Sequence, residues 1–131
     1  MKYTVGEKAT FSKTITEADI NTFAGICGDF NPVHVNTVEA GKSIFGRRVA
    51  HGMLGASFIS TVLGMYLPGP GTVYLSQKLQ FKRPVYIGDT ISAVVELKEL
   101  MDNNRGRLST EVINEKNEIV IAGEAVVIMP E

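Results

Sequence analysis

Apolar and polar positions change their period halfway along this chain. From Thr10 to Ile15 they alternate, which predicts a short strand. Thr16-Glu17-Ala18-Asp19 then has the form of a capping box with two acids in the first turn. Behind it Ile20, Phe23, Ala24 and Cys27 fall on one helical face, and Gly28 is placed to end that helix. An irregular stretch follows, and a second short helix is predicted from Thr37 to Ile44.

His51 to Tyr66 is different. Met53, Leu54, Phe58, Ile59, Val62, Leu63, Met65 and Tyr66 point around most of a helix circumference, with Gly52, Gly55, Ala56 and Gly64 between them. A helix apolar nearly all round is a buried one. Pro68-Gly69-Pro70-Gly71 stops it. Strand-like runs come next. Val73, Leu75, Gln77, Leu79 and Phe81 alternate with polar positions, and Ile91, Ala93, Val95 and Leu97 do the same. Arg107 to Asn114 is a more polar strand, and Ile119 to Ile128 is apolar on both faces, as a central strand is. Short turns between consecutive strands imply an antiparallel sheet, so the predicted architecture is α+β, a sheet curled around one buried helix.

A length of 131 residues fits one domain with a real core, spanning 1–131, and shows no repeat or linker. The net charge of −1 implies no electrostatic pull toward nucleic acid. Cys27 is the single cysteine, so no intrachain disulfide forms and a reducing compartment is expected; its place on the apolar helix face predicts a packed, inert thiol. The N-terminus lacks an apolar signal core and no apolar run has membrane-spanning length. These readings together predict a soluble cytoplasmic protein with no membrane partner.

The candidate chemistry sits in Gly28-Asp29-Phe30-Asn31-Pro32-Val33-His34, where a carboxylate and an imidazole flank a stiff Asn-Pro turn. Acid–base groups in an irregular loop, with the glycine-marked start of a buried helix further on, read as a proton-transfer site. That segment, followed by Ala50-His51-Gly52-Met53-Leu54, resembles the hydratase motif of the MaoC-like (R)-specific enoyl-CoA hydratases. The resemblance extends through Leu67-Pro68-Gly69, Phe81-Lys82-Arg83-Pro84-Val85 and Gly88-Asp89. It implies the hot-dog fold, an antiparallel sheet wrapped around a long helix, in agreement with the periodicity. It also implies hydration of trans-2-enoyl-CoA to (R)-3-hydroxyacyl-CoA, the product that short members of the family feed to polyester (polyhydroxyalkanoate) synthesis.

On that resemblance Asp29 and His34 are the catalytic pair holding the attacking water, with Asp29 the proton acceptor. Asn31 braces the turn or the water, and Ser60 brings a hydroxyl to the site; a plain turn former and a helix serine bonding a backbone carbonyl are the bland alternatives. Gly52, at the open start of the buried helix, is the expected oxyanion donor, because N–H groups there lack intrahelical partners; simple close packing is the bland alternative. Leu63 and Val126 are candidates for the acyl pocket wall. His51, beside the expected oxyanion donor, either lines the pocket or satisfies a buried carbonyl, and the structural role is the favoured one. Arg47, Arg48, Lys82 and Arg83 either meet the coenzyme phosphates or form a solvated basic edge. Asp29, His34 and His51 offer ligands of the kind catalytic zinc takes. Their spacing matches no metal motif, however, and the family is not metal-dependent, so no metal or cofactor is expected.

The competing functions are a 3-hydroxyacyl-carrier-protein dehydratase or an acyl-CoA thioesterase on the same fold, and a non-catalytic acyl-CoA-binding module. The histidine beyond the Asn-Pro turn favours water addition to C3 over attack on the thioester carbonyl. A single curled sheet leaves an edge and a face to cover, and the resemblance implies a homodimer with the acyl tunnel close to the interface.

Overall fold

The structure, a computed structural model, describes residues 2–131. Its elements are β1 (Lys8–Thr14), α1 (Glu17–Cys27), α2 (Pro32–Val35), α3 (Thr37–Gly41), α4 (Gly52–Met65), β2 (Val73–Phe81), β3 (Thr90–Met101), β4 (Arg105–Ile113) and β5 (Ile119–Ile128). The strands form one antiparallel sheet in the order β1-β3-β4-β5-β2. Helix α4 lies against β3, β1 and β4, which is the hot-dog arrangement.

Local chemistry accounts for the elements. The Thr16 hydroxyl accepts the Asp19 N–H at 3.1 Å while the Asp19 carboxylate accepts the Thr16 N–H at 2.9 Å, closing the capping box. Lys13 adds an ammonium 2.5 Å from the same carboxylate, and its hydrogen bond, with that of the Thr16 N–H, holds the Asp19 carboxyl below its usual range. Gly28 adopts φ 79°, the left-handed conformation that glycine takes without strain, and its N–H donates to the Ala24 carbonyl. In α4, Leu54, Gly55, Ala56, Phe58, Ile59, Val62 and Leu63 are all buried. Gly55 lets the helix settle on the sheet, since a Cβ there would stand 3.3 Å from Ile121. On the sheet's inner face Ile91, Ala93, Val95, Leu97, Leu108, Val112, Ala125 and Val127 complete the core.

Three differences from the sequence reading have physical causes. The irregular stretch contains a turn of helix, α2, because Pro32 sits at its first position and the Asn31 side chain accepts the Val33 N–H. The following helix stops at Gly41, three residues before the predicted end. Cys27 is exposed, not packed. Only Ile20 and Ala24 of its helix face are fully covered, and Cys27, in the last turn, extends past the supporting surface.

Strand β2 departs from the predicted alternation: a bulge at Leu75 breaks the register with β5, so Gln77, Leu79 and Phe81 share the face of Ala125 while Val73 falls on the other, and Val73, Tyr74, Leu75 and Phe81 remain exposed. A helix is about 10 Å across and strands lie about 4.8 Å apart, so one helix cannot cover a sheet this wide. Strand β5, apolar on both faces, lies between β4 and β2 as its pattern predicts.

Candidate active site

Between α1 and α4 the chain folds back over the end of the buried helix. Asp29 follows Gly28, and its Oδ1 accepts the Asn31 N–H at 3.1 Å. Its Oδ2 faces the Nε2 of His34 at 3.9 Å. The His34 side chain is largely buried, whereas that of Asp29 is half exposed. The Nδ1 of His34 lies 2.8 Å from the Val49 carbonyl oxygen. A carbonyl only accepts, so Nδ1 carries the hydrogen, and in the neutral ring Nε2 is a bare acceptor turned toward Asp29.

His51 is buried behind this pair, 3% exposed. Its Nε2 lies 2.8 Å from the Asp29 carbonyl oxygen and by the same logic donates. Its ring stacks on His34 with centroids 3.9 Å apart and planes at 26°, and Phe23 lies on it at 5.0 Å. The His51 Nδ1 is buried without a hydrogen-bond partner among the described residues.

Gly52 is the first residue of α4, and the His51 side chain supplies no cap. Its N–H therefore has no acceptor within the helix. A Cβ at Gly52 would stand 2.7 Å from the Phe81 ring, so a side chain there would force the ring to shift. Beside it opens a mainly apolar cavity of about 480 Å³ lined by His34, His51, Gly52, Met53, Phe81 and Val85, among others. The site thus joins an acceptor imidazole, a carboxylate reached through it, a free amide hydrogen and an apolar chamber.

A separation of 3.9 Å between Asp29 and His34 is too long for a direct hydrogen bond but short enough for one water to donate to both. That water would keep a lone pair free for attack. Asp29, His34 and His51 have donor atoms within 4.8 Å of one another, yet a shared metal ion fits poorly. Imidazole lone pairs lie in the ring planes, and two stacked rings aim them along nearly parallel sheets.

The remaining sequence candidates are dispersed. Asn31 caps α2. Ser60 is exposed on α4, two turns beyond Gly52. Leu63 is 1% exposed within the core. Val126 alternates with the core residues Ala125 and Val127 and so points to the sheet's outer face. None of Ser60, Leu63 and Val126 lines the cavity. Of the four basic residues, Lys82 and Arg83 line the cavity, Arg83 pairing with Glu118 at 3.3 Å. Arg47 stacks over Tyr86 at 3.9 Å. Arg48 is buried and hydrogen-bonded to three groups, which removes it from the basic edge. Phe81 and the Val49 carbonyl were not among the sequence candidates. The one available signal was Phe81's position at a strand end beside Lys-Arg-Pro; no sequence pattern marks a backbone carbonyl as a histidine's partner.

Comparison with known proteins places this geometry in context. The chain is 46% identical over 125 residues to an (R)-specific enoyl-CoA hydratase of Rhodospirillum rubrum, an alignment covering 95% of this chain and 87% of that protein. Among solved structures it is similar to the unliganded R-hydratase PhaJ1 from Pseudomonas aeruginosa, at 43% identity and a TM-score of 0.95, covering 98% of this chain and 83% of that one. It is also similar to the (R)-hydratase from Aeromonas caviae involved in PHA biosynthesis, at 40% identity and a TM-score of 0.94, covering 98% of both chains. Residues 2–120 match the MaoC-like domain, and the chain belongs to that family.

Proposed function

We propose that the protein is an (R)-specific enoyl-CoA hydratase, adding water to a trans-2-enoyl-CoA. The observation that carries this reading is the 3.9 Å gap between the Asp29 carboxylate and the bare Nε2 of His34, beside an apolar cavity that also receives Gly52. A water donating to both groups attacks C3. The proton the water loses is taken up by Asp29, shared with the Nε2 of His34, and delivered from this pair to C2, so the pair ends in its starting protonation state. As the C–O bond forms, the C2–C3 π electrons move toward the thioester carbonyl, whose oxygen takes the Gly52 N–H. Positioned acid–base groups give ~10²–10⁴-fold, and an oxyanion donor adds about 3–4 kcal/mol. An enoyl group presenting one face to the water gives a single configuration, and the relatives' names support R. The reverse reaction uses the same groups. No metal or cofactor enters any step.

The relatives' names support coenzyme A as carrier, and the A. caviae structure's title supports a role in supplying polyester precursors. A cytoplasmic setting is compatible with that substrate. The uncovered β2 edge, with Val73, Tyr74, Leu75 and Phe81 exposed, and the exposed Met53, Met65 and Tyr66 of the α4 segment, support a homodimer in which two such edges meet. Ser60 and Val126 lie outside the cavity of their own chain and would reach substrate only across that boundary; Leu63, sealed in the core, does not bound the acyl group in this cavity.

Incubation of the purified protein with crotonyl-CoA tests the reading. Loss of the conjugated enoyl absorbance with the thioester intact, and (R)-3-hydroxybutyryl-CoA as product, is the expected result. Release of free thiol would mean a thioesterase instead, and no change with any enoyl thioester would leave a binding module.

A further inference from the structure

The segment that carries Asp29 is held almost entirely from outside. Residues 28–32 are all exposed, so no side chain between Gly28 and Pro32 anchors it in the core. Yet the proposed chemistry needs Asp29 and His34 at a fixed separation. The polar hold comes from residues 48–51, which run directly behind the loop. The Val49 N–H donates to the Val33 carbonyl at 3.2 Å, the Val49 carbonyl takes the His34 ring hydrogen, and His51 takes the Asp29 carbonyl.

Arg48 ties this assembly to the rest of the molecule. It is 8% exposed. Its Nε donates to the His34 carbonyl at 2.6 Å, its Nη1 to Glu17 at 2.7 Å and its Nη2 to Asn21 at 2.9 Å. Glu17 and Asn21 stand one turn apart on α1. A guanidinium is a rigid planar fork, so these three bonds fix the backbone of His34 against α1 in one plane. A lysine in its place would be a point charge on a flexible stem and could not reproduce the fork.

We infer that Arg48 is a positioning residue for the hydration reaction, acting through His34, and makes no contact with the coenzyme. This rests on the hydratase reading above. The two roles separate kinetically. A residue that binds coenzyme phosphate raises KM when removed. One that holds the imidazole in register lowers kcat, because a displacement near 1 Å at the reacting groups costs on the order of 100-fold.

The experiment compares wild type, Arg48→Met and Arg48→Lys in steady-state hydration of crotonyl-CoA, with thermal melting as the folding control. Arg48→Met is expected to lower kcat by about 10- to 100-fold with KM changed less than about threefold, and Arg48→Lys to recover part of the loss. Because the chain has two histidines, the hydrogen-bonded ring protons of His34 and His51 can be told apart by NMR. The His34 Nδ1 proton should broaden or vanish in Arg48→Met while the His51 proton persists. Unchanged kcat, or a rise in KM alone, overturns the inference, as does an unaltered His34 proton. If Arg48→Met does not fold, Arg48→Lys carries the same kinetic and spectroscopic comparison. Wild type inactive on every enoyl thioester would defeat the hydratase reading, whereas the ring-proton comparison would still report whether Arg48 holds His34.

Discussion

The helix–sheet core and the loop layer over its end are held together by opposite means. In the core, Ile59, Val62, Leu63, Ile91, Val95, Leu97, Leu108 and Val112 are at most 1% exposed, and contact between apolar surfaces accounts for its cohesion. In the loop layer the Asp29–Pro32 segment is exposed, and its shape depends on single hydrogen bonds to backbone carbonyls at Asp29, His34 and Val49. The core resists change through many weak, non-directional contacts. The loop places a few groups through directional bonds, each of which can be removed alone. Substitutions in the two regions should therefore separate activity from stability.

The largest effect is expected at the loop. Asp29→Asn and His34→Ala should each lower kcat by ~10²–10⁴-fold; Asp29→Asn should melt close to wild type, and His34→Ala somewhat lower, since it also removes the ring's stacking on His51 and its bond to Val49. A near-wild-type rate in either would remove that residue from its role. Ile59→Ala, in the core, should do the reverse. It should cost about 2–5 kcal/mol of stability in denaturant unfolding, with kcat per folded molecule little changed; a large drop in kcat for folded protein would show that the two regions are coupled. Gly52→Ala lies on the border. Its Cβ would meet Phe81 at 2.7 Å, so about 1–3 kcal/mol of overpacking strain is expected together with lower turnover. Adding Phe81→Leu should restore stability before activity, and equal recovery of both would make Gly52 a packing residue.

The smallest effect is expected away from both regions, at the start of α1. Thr16→Ala should cost about 1 kcal/mol, read by thermal melting. The Asp19 carboxyl of the same cap is held below its usual range by Lys13 and the Thr16 N–H. Its contribution is present above the unfolded value near 3.8 and is lost as pH falls through the lower folded value. Asp19→Asn should therefore lower stability at neutral pH and converge with wild type in strong acid. A gap between the two that persists at the lowest pH would assign the effect to packing.

These regions also differ in how far they could be read from residue order. Helix α4 was legible because its small and apolar side chains mark a helix that packs into the interior, although Met53 and Met65 stay exposed where the all-round pattern predicted burial. The loop was legible as a motif: a carboxylate, an Asn-Pro turn and an imidazole in fixed order. What a pattern cannot carry is contact between distant segments. Arg47 and Arg48 are adjacent and identical in type, yet one stacks on Tyr86 and the other is buried against Glu17, Asn21 and His34. The tautomer of His34 is set by a carbonyl fifteen residues away. The space a side chain at 52 would need is taken by the ring of a phenylalanine on β2. Cys27 had the right spacing for burial, but the surface it would pack on ends before it. Ser60 and Val126 carry the residue types of a pocket wall, and only the fold reveals that they lie outside the cavity of their own chain.

The most direct test of the water-addition site is a high-resolution crystal structure of the protein without substrate. The account predicts one ordered water within about 3 Å of both Asp29 Oδ2 and His34 Nε2, with the His34 Nδ1 hydrogen still on the Val49 carbonyl. A direct Asp29–His34 hydrogen bond that leaves no room for water, or side chains turned away from each other, would contradict it.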